Sequence, residues 1–340
     1  MEISFGFCAP IFAAPGGRLF RTPNYRELDA RTTIDLCRKA DGLGYDSLWV
    51  ADHLMLGKDQ AILEGWTTLA ALAAATSRAR LGVIHQSNLL RHPAMAAKMS
   101  ATLDQISGGR LIHFYDLGNN DREHRAYGLF WSDVVEERVE RMAEALELIL
   151  ALWQAREPVS FQGRFYHLEG AVCQPQPVQK PHPPIWVGET HPSMLRICAR
   201  WAQGWNTVPV SLETLEQRLQ ALAAACRAEG RDLAELEISV ETQILVAPDR
   251  SALRQKLQDM VDLSPSEDLD PELVAFLTGQ TEAIPSSLAD SYLIGTPDEV
   301  EQRIRAYIDR GVSHFLLWFM DAPEAEGLEL FAAQVAPRFR

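Results

Sequence analysis

The chain has 340 residues, 47% hydrophobic and 23% charged, with a formal net charge of −14. This is globular composition, long enough for two ordinary domains or one large α/β barrel with a sizeable core. No uninterrupted apolar run reaches about 18 residues, so no membrane-spanning helix is expected, and the acidic balance argues against nucleic-acid partners while leaving room for a local basic pocket around an anionic ligand.

The first residues, Met1-Glu-Ile-Ser-Phe-Gly6, carry an acid where a signal peptide needs a base, so a cytoplasmic protein is expected. The cysteines, Cys8, Cys37, Cys173, Cys198 and Cys226, are odd in number and have no Cys-x-x-Cys spacing, which points to reduced, mostly buried thiols rather than a disulfide or zinc framework.

Short β-rich runs recur along the chain, at Ile3 to Cys8, Ser47 to Ala51, Leu81 to His85 and Leu111 to Leu117. After the fourth, Val135, Val139, Met142, Leu146, Ile149 and Trp153 recur at three- and four-residue spacing, the pattern of a helix with one inward face. Glu157 to Pro184 breaks the rhythm: it is proline-rich, and the alternating Val159 to Leu168 reads as a hairpin inserted before the fifth run. Further runs follow at Ile185 to Gly188, Trp205 to Pro209, Ile238 to Val246 and His314 to Phe319. Leu263 to Asp290 is expected to be a long irregular loop or lid with a short helical patch from Pro271 to Leu277. Thr296-Pro-Asp-Glu299 is a capping box that starts a helix running to Arg310-Gly311.

Eight continuous apolar strands alternating with helices imply parallel pairing and a closed (β/α)8 TIM barrel. We therefore expect an α/β fold in which one domain spans 1–340, with insertions near 157–184 and 263–290.

In such a barrel the strand carboxyl ends build the active site. At the second run, Asp52 and His53 stand where the strand meets the rim: a histidine there exchanges a proton near neutral pH, and a neighbouring carboxylate fixes its tautomer. Past the third run, Gln86, Ser87 and Asn88 offer polar groups to a ligand ring. Past the fourth comes the polar burst Asn119 to Arg125, which for any single residue reads equally as a solvated loop. Past the fifth, Gly188-Glu-Thr-His-Pro-Ser193 enters a helix, a pattern that suits a phosphate, although most helices begin this way. The scattered histidines raise a metal-dependent barrel hydrolase as an alternative, but neither His-x-His nor His-x-x-x-His occurs, and dinucleotide, P-loop and serine-hydrolase motifs are absent.

These stretches together resemble the bacterial luciferase-like family of flavin-dependent oxidoreductases over nearly the whole chain. The resemblance rests on Ser47-Leu-Trp-Val-Ala-Asp-His53, Arg91 to Leu111, Glu123-His-Arg-Ala-Tyr-Gly128, Phe161 to Tyr166, Pro175 to Gly188 and Gly204-Trp-Asn206 in order. It implies a TIM barrel binding reduced FMN or the deazaflavin coenzyme F-420 (8-hydroxy-5-deazaflavin) at the strand carboxyl ends, and either deazaflavin hydride transfer or FMN-dependent monooxygenation of a small organic substrate. By the same resemblance His53 is the rim histidine beside the reactive ring, with Asp121 and Glu123 assisting. Gln86, Ser87 and Asn88 are ring contacts, and Gly188, Glu189, Thr190, His191 and Ser193 form the phosphate turn. A homodimer or higher oligomer and a flavin reductase partner are further implications. One departure is that Gly118-Asn-Asn-Asp121 stands where many relatives carry Gly-x-Gly-Trp, which leaves a flavin-binding protein without catalysis as an alternative.

Overall fold

A computed structural model of the chain describes residues 2–17, 21–188, 190–264 and 268–340. Its strands are Ser4–Cys8 (β1), Ser47–Ala51 (β2), Arg80–Ile84 (β3), Leu111–Tyr115 (β4), Val159–Gln162 (β5), His167–Ala171 (β6), Ile185–Val187 (β7), Gly204–Thr207 (β8), Glu237–Val246 (β9), Leu293–Gly295 (β10) and His314–Phe319 (β11). The main sheet runs β10-β9-β11-β1-β2-β3-β4-β7-β8, and β8 pairs again with β9. All its pairings are parallel, so eight strands close into a barrel while β10 lies outside it on the carboxyl end of β9.

The helices are Ala30–Leu43 (α1), Gly65–Ala75 (α2), Pro93–Ser107 (α3), Asp121–Ala126 (α4), Val135–Gln154 (α5), Pro192–Trp201 (α6), Leu212–Ala228 (α7), Arg250–Leu263 (α8), Pro271–Leu277 (α9), Ser286–Ala289 (α10), Pro297–Ile308 (α11) and Glu326–Gln334 (α12). The expected TIM barrel is therefore present, and each predicted strand lies within a residue or two of its place. The hairpin is the antiparallel β5–β6 pair, and α11 starts on the Thr296/Glu299 capping box. All five cysteines are free and buried.

The insertion at 263–290 holds the expected helical patch as α9, Pro271–Leu277, and departs from expectation in its packing. Rather than an irregular lid, its described part contributes Leu273, Phe276 and Leu288 to a second apolar cluster with Leu253, Leu257 and Met260 of α8 and with Ile294 of β10. Leu293-Ile-Gly295 was too short an apolar run to read as a strand.

Inside the barrel, large rings pack over missing side chains. A Cβ on Gly82 would lie 2.2 Å from Trp49 Cζ3, and one on Gly204 would lie 2.3 Å from Trp186 Nε1. The two indoles sit 5.2 Å apart and plug the middle of the barrel. Below them, at the amino ends of the strands, Arg80 bonds Glu237 (3.0 Å), Glu237 bonds His314 Nδ1 (2.7 Å), and His314 Nε2 meets Ser47 Oγ (2.7 Å). The paired indoles thus separate this cluster from the carboxyl ends of the strands.

Candidate active site

At the carboxyl ends of the strands a cleft of about 190 Å³ opens, lined by Ala51, His53, Ile84, His85, Asn119, Thr190, Thr207 and Val208, with Arg21 and Arg218. His53 follows β2 directly, Asn119 follows β4 and Thr190 follows β7, so the loops after three different strands converge on it.

His53 Nδ1 lies 3.0 Å from Glu123 Oε1. The other carboxylate oxygen of Glu123 accepts from the backbone N–H of Leu54 (2.8 Å) and Met55 (3.3 Å). Burial opposes the charge on Glu123, yet the bond to His53 and those two amides outweigh it and hold the carboxyl below its usual range. The arrangement fixes one ring nitrogen and leaves Nε2 as the atom able to exchange a proton. Glu123 is held in place because Asn120 caps α4, accepting from the Glu123 amide, which turns the side chain at the third helical position inward to 2% exposure.

Of the two acids expected to assist His53, Glu123 is therefore its partner, and Asp52, its neighbour in sequence, is not. Asp52 accepts two bonds from Arg91, both 2.9 Å, and one from the Ser87 amide (3.0 Å), so it ties β2 to the loop after β3. Adjacent residues leave a strand on opposite faces, which is why the neighbour in sequence is not the neighbour in space.

Asp121 is also misplaced by the sequence reading. It opens α4 more than half exposed and pairs with Arg125 one turn on (3.5 Å), away from the cleft lining. Ser193 stands in the first turn of α6 but lines a groove with Glu140, Arg196 and Trp201 between α5 and α6, where its Oγ accepts from Arg196 (3.2 Å). His191 is the residue preceding α6, its Nδ1 buried without a partner among the described residues. Glu189 lies outside the described residues. Of the turn, Thr190 faces the cleft, and Gly188 sits against its floor: a Cβ there would be 2.8 Å from Asp116 Oδ2 and 3.2 Å from His85 Nδ1.

The three residues past β3 diverge. Gln86 is buried with both amide atoms unpartnered among the described residues. Ser87 Oγ meets His124 Nε2 (3.2 Å), and Asn88 accepts from the Tyr115 hydroxyl (2.6 Å), so Asn88 braces β4.

The sequence reading missed the cleft floor. His85 adopts φ +54°, a left-handed conformation that costs a non-glycine residue about 1 kcal/mol or more. Its Nδ1 lies 3.0 Å from Asp116 Oδ2 and its Nε2 2.8 Å from Glu241 Oε2. Glu241 also accepts from Trp318 Nε1 (2.6 Å) and pairs with Arg21 (3.2 Å). Burial works against a charged ring, but the two carboxylates outweigh it and push His85 up to about 10. Burial would raise Glu241, yet Arg21, His85 and Trp318 hold it down at about 2. The visible signal was an acid inside the apolar run Ile238 to Val246. Among the described residues, no group of three or more His, Cys, Asp or Glu side chains is arranged to hold a metal ion.

Known proteins resemble the chain in sequence and in fold. The family model for luciferase-like monooxygenases matches residues 5–314. An F420-dependent glucose-6-phosphate dehydrogenase of Beutenbergia cavernae is 30% identical over 327 residues, covering 93% of this chain and 94% of its own. The solved structure of an F420-dependent secondary alcohol dehydrogenase in complex with an F420-acetone adduct matches with TM-score 0.77 at 21% identity over 100% of both chains, a likeness of fold.

Proposed function

The chain belongs to the luciferase-like monooxygenase family and is an oxidoreductase of the flavin and deazaflavin type, and from that premise we propose that it moves a hydride between coenzyme F-420 and a small hydroxyl- or carbonyl-bearing substrate. The choice of the deazaflavin over FMN is supported by the Beutenbergia cavernae relative, an F420-dependent enzyme. The single observation that carries the catalytic reading is the buried Glu123 fixing Nδ1 of a cleft-facing His53.

The residues present fit such a cofactor. Gly188 keeps the floor open at a point where any side chain would strike Asp116. The side-chain amide of Gln86, expected to meet the ring, is buried with no partner among the described residues, a state that costs about 1–3 kcal/mol unless a ligand or solvent pairs it. Gly188, Thr190 and the first turn of α6 would hold a phosphorylated tail. When bound, the oxidised deazaflavin supplies a hydride acceptor and its reduced form a hydride donor.

In the direction of alcohol oxidation, His53 Nε2 takes the hydroxyl proton as the substrate carbon gives up hydride. Glu123 stabilises the imidazolium that results, and the Leu54 and Met55 amides keep Glu123 ionised for that purpose. In the reverse direction the same ring returns the proton to a carbonyl oxygen. The family's description as monooxygenases favours an FMN-dependent oxygenation as the competing reading, which would need a reductase to supply reduced cofactor.

The test is anaerobic mixing of enzyme, oxidised F-420 and a panel of secondary alcohols and sugars, followed by loss of the oxidised chromophore. We expect reduction with at least one member of the panel, and a fall of about a hundredfold or more in turnover for His53→Ala with cofactor affinity little changed. Oxygen uptake with reduced FMN and no reaction with F-420 would overturn the reading.

A further inference from the structure

The floor of the cleft holds a second histidine that the proton transfer above does not use. His85 enters from β3, Asp116 from the end of β4, Glu241 from β9 and Arg21 from the segment after β1. The strained backbone at His85 turns its ring between two acids, and Gly188 on β7's end leaves the space they occupy. Four elements of the barrel thus contribute to one clamp.

We propose that the Asp116–His85–Glu241 clamp sets the charge of the cleft floor, holding an imidazolium there so that the anionic reduced form of the redox cofactor binds more tightly than it otherwise would. The inference rests on the function proposed above. Hydride acceptance adds negative charge to a flavin-type ring, and a fixed charge nearby tunes how readily that happens. Asp116 and Glu241 carry two negative charges, and Arg21 supplies one positive. With His85 protonated the four groups sum to zero; with a neutral residue in its place the floor carries one net negative charge and repels the reduced ring. The two further carboxylates nearby are already engaged: Asp52 with Arg91 and Glu123 with His53. They line, with His85, Ser87, Asp116, Gly118 and Asn119, a chamber of about 10 Å³, room for about one water. Two hydrogen bonds to carboxylates, at 3.0 and 2.8 Å, account for the ring's retained proton at neutral pH.

Two measurements test the proposal. Nitrogen-15 NMR of the cofactor-free protein reads the clamp alone: His85 is expected to stay doubly protonated at pH 8, and a neutral ring at that pH overturns it. Affinities of oxidised and reduced F-420 for wild type, His85→Gln and Asp116→Asn read the electrostatics. His85→Gln is expected to weaken the reduced form relative to the oxidised form at least tenfold, about 30 mV on a two-electron potential. Asp116→Asn, which removes a negative charge instead, is expected to leave that ratio unchanged or move it the other way. A ratio within twofold of wild type for His85→Gln, or a shift of the same sign in both variants, overturns the proposal and marks a structural role. Failure of wild type to bind either form overturns the function and the electrostatic inference together, while the NMR result still decides the clamp.

Discussion

The two ends of the barrel hold the same chemical pieces in opposite states. At the amino end His314 bonds one carboxylate, Glu237, and one hydroxyl, Ser47, with Arg80 close by. Burial dominates there and keeps its pKa below the ordinary value despite Glu237. At the carboxyl end His85 bonds two carboxylates, and the same burial loses to them. A buried histidine's charge is therefore set by how many acids face it, because each opposing charge in a poorly solvated site outweighs part of the desolvation cost. At the amino end His314 is fully buried behind the partly exposed Arg80–Glu237 pair, and its bonds tie β2, β9 and β11 together. The carboxyl end opens to a cleft, so its charges can act on a ligand.

The sharpest contrast comes from mutating one position in the central plug and one at the carboxyl end. Gly82→Ala drives a Cβ into the Trp49 ring, where neither strand nor indole has room to give. Overpacking of that kind costs about 1–3 kcal/mol or more, and calorimetry should show a clear fall in Tm or no folded protein. Gly188→Ala meets Asp116 at 2.8 Å on the open side. A smaller loss of Tm is expected, with cofactor affinity falling by a larger factor than in any plug variant that still folds.

Turnover comes next. His53→Ala is expected to lose about a hundredfold, whereas His85→Gln should act first on the balance between reduced and oxidised cofactor. Equal effects of the two on turnover alone would erase the distinction between proton transfer and charge setting.

Stability against pH reads both ends without any ligand. His85 is raised from 6.5 to about 10, so its contribution is fully present below 6.5 and is lost as pH rises through about 10. Glu237 is lowered from 4.5 to about 2, so its contribution is present above 4.5 and is lost as pH falls towards 2. His314, lowered in the folded state, adds an acid-side loss that begins below 6.5, where the unfolded ring takes up a proton first. Denaturant titrations should therefore show an alkaline limb that His85→Gln reduces and an acid limb that Glu237→Gln reduces in part, the rest coming from Glu241, also held at about 2. The smallest effect is expected from Asp121→Asn: an exposed one-turn pair with Arg125 is worth about 0.3–0.5 kcal/mol, and turnover should stay within twofold.

The barrel was legible because its strands are buried on both faces and stand out as continuous apolar runs between amphipathic helices. Ser47 to Ala51 and His314 to Phe319 were placed to the residue. The site was legible only where a side chain follows its strand directly, as His53 does. Its partner lies 70 residues away, and no local pattern tells Glu123 from Asp121, since a cap at Asn120 decides which of the two turns inward. Ser193 carried the right helix-start signature, but that signature does not say which side of the helix ring a residue faces. His85 was hidden as the last residue of a strand, and the acid at 241 gave it away only once the register of β9 was known.

Fluorescence titration of the cofactor-free protein with F-420, in competition with FMN, shows whether the cleft beside His53 holds the deazaflavin ring. Saturable one-to-one binding of F-420 is expected, displaced poorly by excess FMN and weakened at least tenfold by Gly188→Ala; no binding of F-420, or tighter binding of FMN unaffected by Gly188→Ala, means that the cleft does not hold it.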